Sequence, residues 1–191
     1  SSSSAASDVY KRQDITSQDA DERARGRSYL VDCVRATAAI GATSLSGVIY
    51  SAHAKAITAR PTDEMWSRSA EALREAAQAA EPLGVTLGIE PVNRYETFLV
   101  NTCEQALTLK EMTGMDNVRV HLDTYHMNIE EKSFYDATLL AGSDLVHYHL
   151  CENDRGIPGT GLVDWDGIFR ALKEIEYDGY AALESFVDIT D

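Results

Sequence analysis

The stretch Val118–Asn128, which reads VRVHLDTYHMN, decides how the rest of this chain can be arranged. Because the side chains of a strand alternate between its two faces, the stretch separates into a polar row and an apolar row. The polar row holds Arg119, His121 and Asp123, and the apolar row holds Val118, Val120 and Leu122. Such a strand fits a parallel sheet whose apolar face packs on helices and whose carboxyl end opens into a site. We therefore predict that Asp123 ends this strand and that His126 follows in a loop.

The composition is that of an ordinary soluble globular protein, with 44% hydrophobic and 25% charged residues in a chain of 191. The 17 basic residues stand against 31 acidic ones, which gives a net charge of −14. Such a charge repels a phosphate backbone and argues against a nucleic-acid partner. No apolar run is long enough to span a membrane, and no signal peptide opens the chain. We expect a cytoplasmic protein with no membrane contact that acts on small neutral molecules with divalent cations.

The three cysteines, Cys33, Cys103 and Cys151, lie far apart and do not form a CxxC motif. A sparse and odd-numbered set predicts reduced thiols rather than a disulfide framework. Cys151 lies two residues after His149 and can share its strand face. A role as a ligand and a role as a buried structural thiol therefore both remain open for Cys151.

Strand-like and helix-like segments alternate along the chain, without hairpin signals between them. This order favours an α/β fold with a parallel sheet. A first helix is capped by Thr16 or Ser17, and a later one by a Thr102–Gln105 capping box. The helix-like segments end near residues 39, 81, 114, 141 and 175. The strand-like segments are residues 43–51, 85–93, 118–123, 145–150 and 180–186.

The predicted fold class is a (β/α)₈ TIM barrel that is incomplete in this chain. A complete barrel takes about 250 residues, whereas the five strand–helix units here match the C-terminal part of one. We expect the first three strands and the last helix to be absent. Residues 1–13 are serine-rich, lack periodicity and are interpreted as a leader that is not native to the domain. The barrel domain is assigned to residues 14–191.

Metal-competent side chains stand at the same end of four successive strands. Since active sites of α/β barrels lie at the carboxyl ends of the strands, we expect these side chains to converge there. The set consists mostly of hard oxygen ligands. Such ligands suit Mn²⁺, Mg²⁺ or Co²⁺, whereas a zinc site would be richer in thiolates. Its members are Glu90, Asp123, His149 and Glu184.

This set also suggests a reaction class. A cation that binds two neighbouring substrate oxygens makes the adjacent C–H more acidic, and a nearby carboxylate can then act as the base. Arg155, in a Gly-rich loop after His149, is placed to hold a substrate oxygen or a developing negative charge. His121 and His147 are interpreted as structural histidines, and no role is assigned to His53.

Four segments together resemble the D-tagatose/D-psicose 3-epimerase family, a group of ketose 3-epimerases within the xylose isomerase-like barrels. They are IEPVNRYE at Ile89–Glu96, HLDTYHMNIEE at His121–Glu131, HYHLCENDRGIPGTGLVDW at His147–Trp165 and LESF at Leu183–Phe186. The segments keep the order and spacing of the family from Glu90 to Glu184, and the resemblance extends over the two preceding helices. It is more specific for the family than for the substrate.

The resemblance implies a divalent metal cofactor, Mn²⁺ ahead of Co²⁺ or Mg²⁺, bound by Glu90, Asp123, His149 and Glu184. It also implies that the catalytic residues Glu90 and Glu184 exchange the C3 proton of a free ketohexose through a cis-enediolate. Substrate contacts at the O1–O3 end are implied for Glu96, His126 and Arg155. Members of the family are usually dimers or tetramers, so a homo-oligomer is expected for the full-length form.

Three alternatives stay open at this point. An aldose–ketose isomerase of the hydroxypyruvate or rhamnose type could use the same metal site for a proton shift between C1 and C2. A multi-zinc endonuclease would need more histidine ligands and a basic groove, which the net charge of −14 disfavours. A non-catalytic fragment is the third, since an open barrel edge would expose apolar surface and promote association.

Overall fold

The computed structural model describes residues 14–53 and 60–186 of the chain. The predicted leader at residues 1–13 lies outside these ranges, so its interpretation stays a prediction. The helices are α1 (Ala20–Ala39), α2 (Asp63–Ala80), α3 (Cys103–Thr113), α4 (Thr124–Glu130), α5 (Phe134–Ala141) and α6 (Trp165–Glu174). The strands are β1 (Ser44–Gly47), β2 (Thr86–Ile89), β3 (Val118–Asp123), β4 (Leu145–Leu150) and β5 (Tyr180–Leu183).

All five strands belong to one parallel sheet with the spatial order β1-β2-β3-β4-β5. Helices connect successive strands, as the alternating pattern predicted. Three strands are shorter than their predicted segments, whereas β3 and β4 keep the predicted bounds. The strand β1 ends early at Gly47. The φ angle of this glycine is 139°, which lies outside the extended region that other residues adopt.

Side-chain caps fix the starts of the helices. Asp19 caps α1 by accepting the backbone N–H groups of Asp21 and Glu22, so the predicted cap at Thr16 or Ser17 is wrong. Both halves of the predicted capping box at Thr102 and Gln105 are present at α3. A capping box is a local motif, and its two residues identify it without tertiary information.

The region after β3 also differs from the prediction. His126 lies in the short helix α4 and not in a loop. Asp123 caps this helix, because its carboxylate accepts the backbone N–H of Tyr125 at 2.7 Å. Asp123 therefore ends the strand and starts the helix, which places His126 one turn into the helix and fixes its direction.

The apolar face of the sheet and the inner faces of the helices form one hydrophobic core. Val118, Val120 and Leu122 of β3 belong to this core, as their alternation predicted. The opposite face of the sheet carries the polar row, including the buried His121 and Asp123. Within the described ranges, no helix is both long and apolar enough to cross a bilayer.

Candidate metal centre

The sheet brings together the four metal-competent side chains that the sequence places at strand ends. Glu90 and Glu184 directly follow β2 and β5, and Asp123 is the last residue of β3. His149 of β4 pairs in register with Asp123 on one side and with Ala182 of β5 on the other. One ligand atom from each of the four residues lies within 4.8 Å of the others. This cluster can hold a divalent metal ion.

Basic side chains lie close to the carboxylates of the cluster. Nδ1 of His149 lies 3.1 Å from Oε2 of Glu184, 3.8 Å from Oδ2 of Asp123 and 3.9 Å from Oε1 of Glu90. Arg155 donates from Nη1 to Oδ2 of Asp123 at 2.7 Å and to Oε2 of Glu184 at 2.6 Å. Three carboxylates thus converge on one point, where positive charge is required to hold them together.

The carboxylates differ in how readily they ionise. Burial, followed by the negative charge of Asp123, raises the pKa of Glu90 to about 8. Burial also raises the pKa of Glu184, and the neighbouring Asp123 adds to this shift. Burial alone would raise the pKa of Asp123, but hydrogen bonds within the cluster and the nearby cationic groups bring it well below its usual value. Asp123 is therefore the permanently charged member of the cluster.

Arg155 is held in an unusual backbone conformation at the mouth of the cluster. Its φ of 66° lies in the left-handed region, which a residue other than glycine or asparagine adopts only when its surroundings require it. Its guanidinium lies over the ring of Tyr125, with 4.3 Å from Cζ to the ring centroid. Nη2 of Arg155 also lies 3.2 Å from Nε2 of His126. The predicted substrate residues Arg155 and His126 are therefore neighbours.

The loop that carries Arg155 is organised by Glu152, which the sequence analysis did not single out. The side chain of Glu152 is fully buried, and its carboxylate accepts hydrogen bonds from two groups of the loop and from the first residue of α6. The donors are the N–H groups of Gly159 (2.6 Å), Val163 (3.2 Å) and the Trp165 indole (2.6 Å). A buried carboxylate that satisfies several loop N–H groups fixes the shape of that loop.

Asn93 links the other two predicted substrate residues, and it was also missed. Its side-chain amide donates to Oε1 of Glu96 at 2.8 Å and lies 2.8 Å from Nδ1 of His126. Its backbone N–H donates to the same Nδ1 at 3.2 Å. Glu96 also contacts Nε2 of His53 at 3.2 Å.

The signal for both missed residues was weak. Asn93 lies between Glu90 and Glu96 in the segment IEPVNRYE, and Glu152 lies between His149 and Arg155. Their proximity to site residues was visible, but their burial was not. Cys151 is also buried, with Sγ 3.7 Å from Oδ1 of Asp123 and 3.4 Å from Nη1 of Arg155. It lies beside the cluster without belonging to the group of four.

The chain is similar to known proteins over most of its length. Residues 5–190 match the family model described as the xylose isomerase-like TIM barrel. An L-ribulose 3-epimerase from Mesorhizobium japonicum (strain LMG 29417 / CECT 9101 / MAFF 303099) is 41% identical over 173 residues, which are 91% of this chain and 58% of that protein. A ketose 3-epimerase from Arthrobacter globiformis is 40% identical and covers 91% and 60% of the two chains.

Solved structures give the same picture. The structure of an L-ribulose 3-epimerase superposes with a TM-score of 0.89 at 40% identity and covers 93% of this chain and 59% of that one. The D-allulose 3-epimerase from Methylomonas sp., solved in complex with D-allulose, also has a TM-score of 0.89, with 38% identity and coverage of 93% and 61%. The chain thus spans about three fifths of the length of the relatives that it matches.

Proposed function

This chain belongs to the xylose isomerase-like TIM barrel family, and from that premise we propose that the protein is a metal-dependent ketose 3-epimerase. The observation that carries the proposal is the convergence of Glu90, Asp123, His149 and Glu184 within 4.8 Å at the carboxyl ends of four strands. Relatives named as ketose, L-ribulose and D-psicose 3-epimerases support the same reaction class. The proposed reaction inverts C3 of a free ketohexose.

We assign the metal site to those four residues, with Mn²⁺ as the preferred ion. Three carboxylates and one imidazole form the mixed oxygen and nitrogen set that suits this ion. Asp123, whose pKa lies well below its usual value, would supply a fixed negative charge. The bound ion would polarise the substrate carbonyl and increase the acidity of the C–H at C3.

Glu90 and Glu184 are the proposed proton carriers. One carboxylate would remove the proton from C3, and the other would return a proton to the opposite face of the same carbon. The reaction is redox-neutral, since one C–H bond is broken and one is formed. Burial keeps the pKa of each glutamate above its usual value before a cation binds, which brings both closer to the neutral pH at which a general base works best.

His126, Glu96 and Arg155 are proposed to hold the O1–O3 end of the sugar. The backbone N–H of Asn93 donates to Nδ1 of His126, so the neutral imidazole carries its proton on Nε2. Nη2 of Arg155, 3.2 Å from Nε2, is also a donor, so no hydrogen bond joins these two groups. That Nε2–H can donate to a substrate oxygen. Arg155 would turn part of its hydrogen bonding from the carboxylates to the substrate when the sugar and the ion are bound.

The test is an assay of D-fructose, D-tagatose, D-allulose and L-ribulose with Mn²⁺ in deuterated water. A 3-epimerase gives the C3-epimeric ketose and places deuterium at C3 of the product, which NMR detects directly. The Glu184→Gln variant should lose this exchange, whereas Glu111→Gln, at an exposed residue of α3 outside the cluster, should keep it. An aldose product with deuterium at C2 would replace the proposal with an aldose–ketose isomerase.

A further inference from the structure

We propose that His121, His147 and His149 form a second metal site, which binds a nitrogen-preferring ion such as Zn²⁺ on the inner face of the sheet. This site goes beyond the epimerase function, because the proposed reaction uses only the carboxylate-rich cluster. It shares one residue, His149, with that cluster. These three residues form the inner histidine site.

The sheet itself assembles the inner histidine site. His121 of β3 pairs in register with His147 of β4, and His149 lies two residues further along the same strand and therefore on the same face. The ring centroids are 4.9 Å apart for His121 and His147, 4.2 Å for His121 and His149, and 5.0 Å for His147 and His149. One ring nitrogen from each residue lies within 4.8 Å of the others. Small rotations of the rings would bring three nitrogens around one ion.

A cavity of about 240 Å³ lies beside these rings. Its remaining lining consists of Ser44 and Ser46 of β1 and the carboxylate of Glu90. Polar side chains thus line this cavity, and its volume leaves room for an ion and for a coordinated water or anion. A larger cavity of about 440 Å³, between α1 and β1, contains none of the three histidines.

His121 provides the observation that indicates a ligand. Its side chain is almost completely buried, and neither Nδ1 nor Nε2 has a hydrogen-bond partner among the described residues. Oε2 of Glu90 lies 3.6 Å from Nδ1, which is beyond hydrogen-bonding distance. The Oγ atom of Ser46, in the wall of the same cavity, is also buried without a partner in the described part of the chain. Buried polar groups are normally paired, and leaving one unpaired costs about 1–3 kcal/mol.

The chemistry of three imidazoles selects the type of ion. Imidazole nitrogen suits Zn²⁺, Co²⁺ and Cu²⁺, whereas Mn²⁺ and Mg²⁺ prefer carboxylate and water oxygens. A three-histidine set also leaves a fourth position open, as catalytic zinc sites do. The inner histidine site and the carboxylate-rich cluster would therefore differ in their metal preference.

His149 can serve both sites at once as an imidazolate, which binds one ion through each nitrogen after its ring N–H proton is released to water. Nδ1 of His149 faces the three carboxylates at 3.1–3.9 Å, and Nε2 would be the nitrogen that binds at the inner histidine site. A ring that bridges two ions links their occupancies. Zn²⁺ at the inner site is thus expected to alter the affinity of the outer cluster for Mn²⁺.

Calorimetric titration with Zn²⁺ and with Mn²⁺ tests this proposal on the complete chain. The Asp123→Asn/Glu184→Gln double variant disables the carboxylate-rich cluster and retains all three histidines. We expect this variant to bind one Zn²⁺ per chain and no Mn²⁺. Adding His147→Gln, which removes only a half-buried inner ligand, should weaken Zn²⁺ binding by about tenfold or more. His53→Gln, which removes a histidine outside the inner site, should leave Zn²⁺ binding unchanged.

Two results would overturn the proposal. One is a folded double variant that binds no Zn²⁺, and the other is Zn²⁺ binding that His147→Gln does not weaken. Thermal melting, monitored by circular dichroism, establishes that each variant is folded before it is titrated. The outcome is separate from the proposed epimerase function, because that function is judged by product formation in the unmodified chain with Mn²⁺.

Discussion

Glu90 is the residue at which burial and charge oppose each other most clearly. It stands at the end of β2 with 8% of its surface exposed and faces two other carboxylates and His149. Burial disfavours its charged form, and the charge of Asp123 adds to this effect, so its pKa rises to about 8. Because the ionised form of Glu90 is unfavourable when no cation is present, this residue favours the binding of a cation. The same residue therefore links metal binding, pH and stability.

The pH dependence of stability follows from this pKa. Between the ordinary value near 4.5 and about 8, Glu90 holds its proton in the folded chain and loses it in the unfolded chain. Its contribution to the free energy of unfolding therefore falls as the pH rises through this window and is constant above it. In EDTA, Glu90→Gln should stabilise the chain at pH 8 by a few kcal/mol relative to the unmodified protein, and by little at pH 5.

Urea unfolding at pH 5 and pH 8 measures this difference, with Glu111→Gln as the matched surface control. A stability difference that does not change between the two pH values would contradict the assignment of the raised pKa to Glu90. Mn²⁺ should bind more tightly to the unmodified chain as the pH rises towards 8, because the ion competes with the proton of Glu90.

At the scale of elements, the loop between β4 and α6 has the greatest influence on the site. It carries Arg155 in a left-handed conformation, and its shape depends on the hydrogen bonds accepted by the buried carboxylate of Glu152. The loop is joined to the end of β5, because the backbone N–H of Phe186 donates to the carbonyl of Arg155 at 2.9 Å. Glu152 thus acts on the cluster through the position of Arg155.

Glu152→Gln should lower the free energy of unfolding by about 1–3 kcal/mol, since an amide replaces a charged acceptor of several hydrogen bonds. The new side-chain NH₂ group would face the N–H groups of the network and would have no acceptor. The midpoint of urea unfolding should decrease, with the dependence on urea concentration unchanged. Glu174→Gln, at an exposed hydrogen bond with Tyr135, is the control and should have little effect. Equal stabilities of the two variants would show that the Glu152 network does not hold the loop.

The sequence predicted the type of most elements and missed some of their ends. The strands β3 and β4 and the helices α3 and α5 match their predicted bounds because periodicity and caps are local properties. The helix α4 was missed, since its start depends on a cap by Asp123, a residue that the pattern assigned to the strand. The bounds of β1, β2 and β5 depend on where each strand stops pairing with its neighbouring strands, which is a tertiary property.

At the scale of the whole molecule, β5 borders the sheet, and within the described residues it pairs with β4 alone. Large apolar side chains are exposed in this region, with Tyr180 at 82%, Leu183 at 73% and Phe186 at 65% of their surface. An exposed strand edge with apolar neighbours is a template for pairing with another chain.

We expect the 191-residue chain to associate in a concentration-dependent manner through this edge. Leu183→Lys should reduce association, because a charged side chain on an edge strand disfavours pairing. Sedimentation velocity across a range of concentrations measures the effect, with Leu140→Lys, an exposed position on α5, as the control. A monomer at every concentration, with a single cooperative melting transition, would contradict this prediction.

The sequence by itself determined the α/β barrel class, the parallel strand order and the placement of Glu90, Asp123, His149 and Glu184 at strand ends. Alternation, caps and spacing carry that information, because they depend only on residues close together in the chain. The family match and the superposition with solved epimerases confirm the fold class. The roles of the individual residues stay predictions.

Only the tertiary structure decided which polar side chains are buried and what they face. Asn93 and Glu152 organise their surroundings because strands and loops distant in sequence enclose them. His121, interpreted from the sequence as structural, lies beside two further histidines with its ring nitrogens unpaired in the described residues. Burial and convergence depend on the curvature of the sheet and on contacts between different strands, and no local pattern records either.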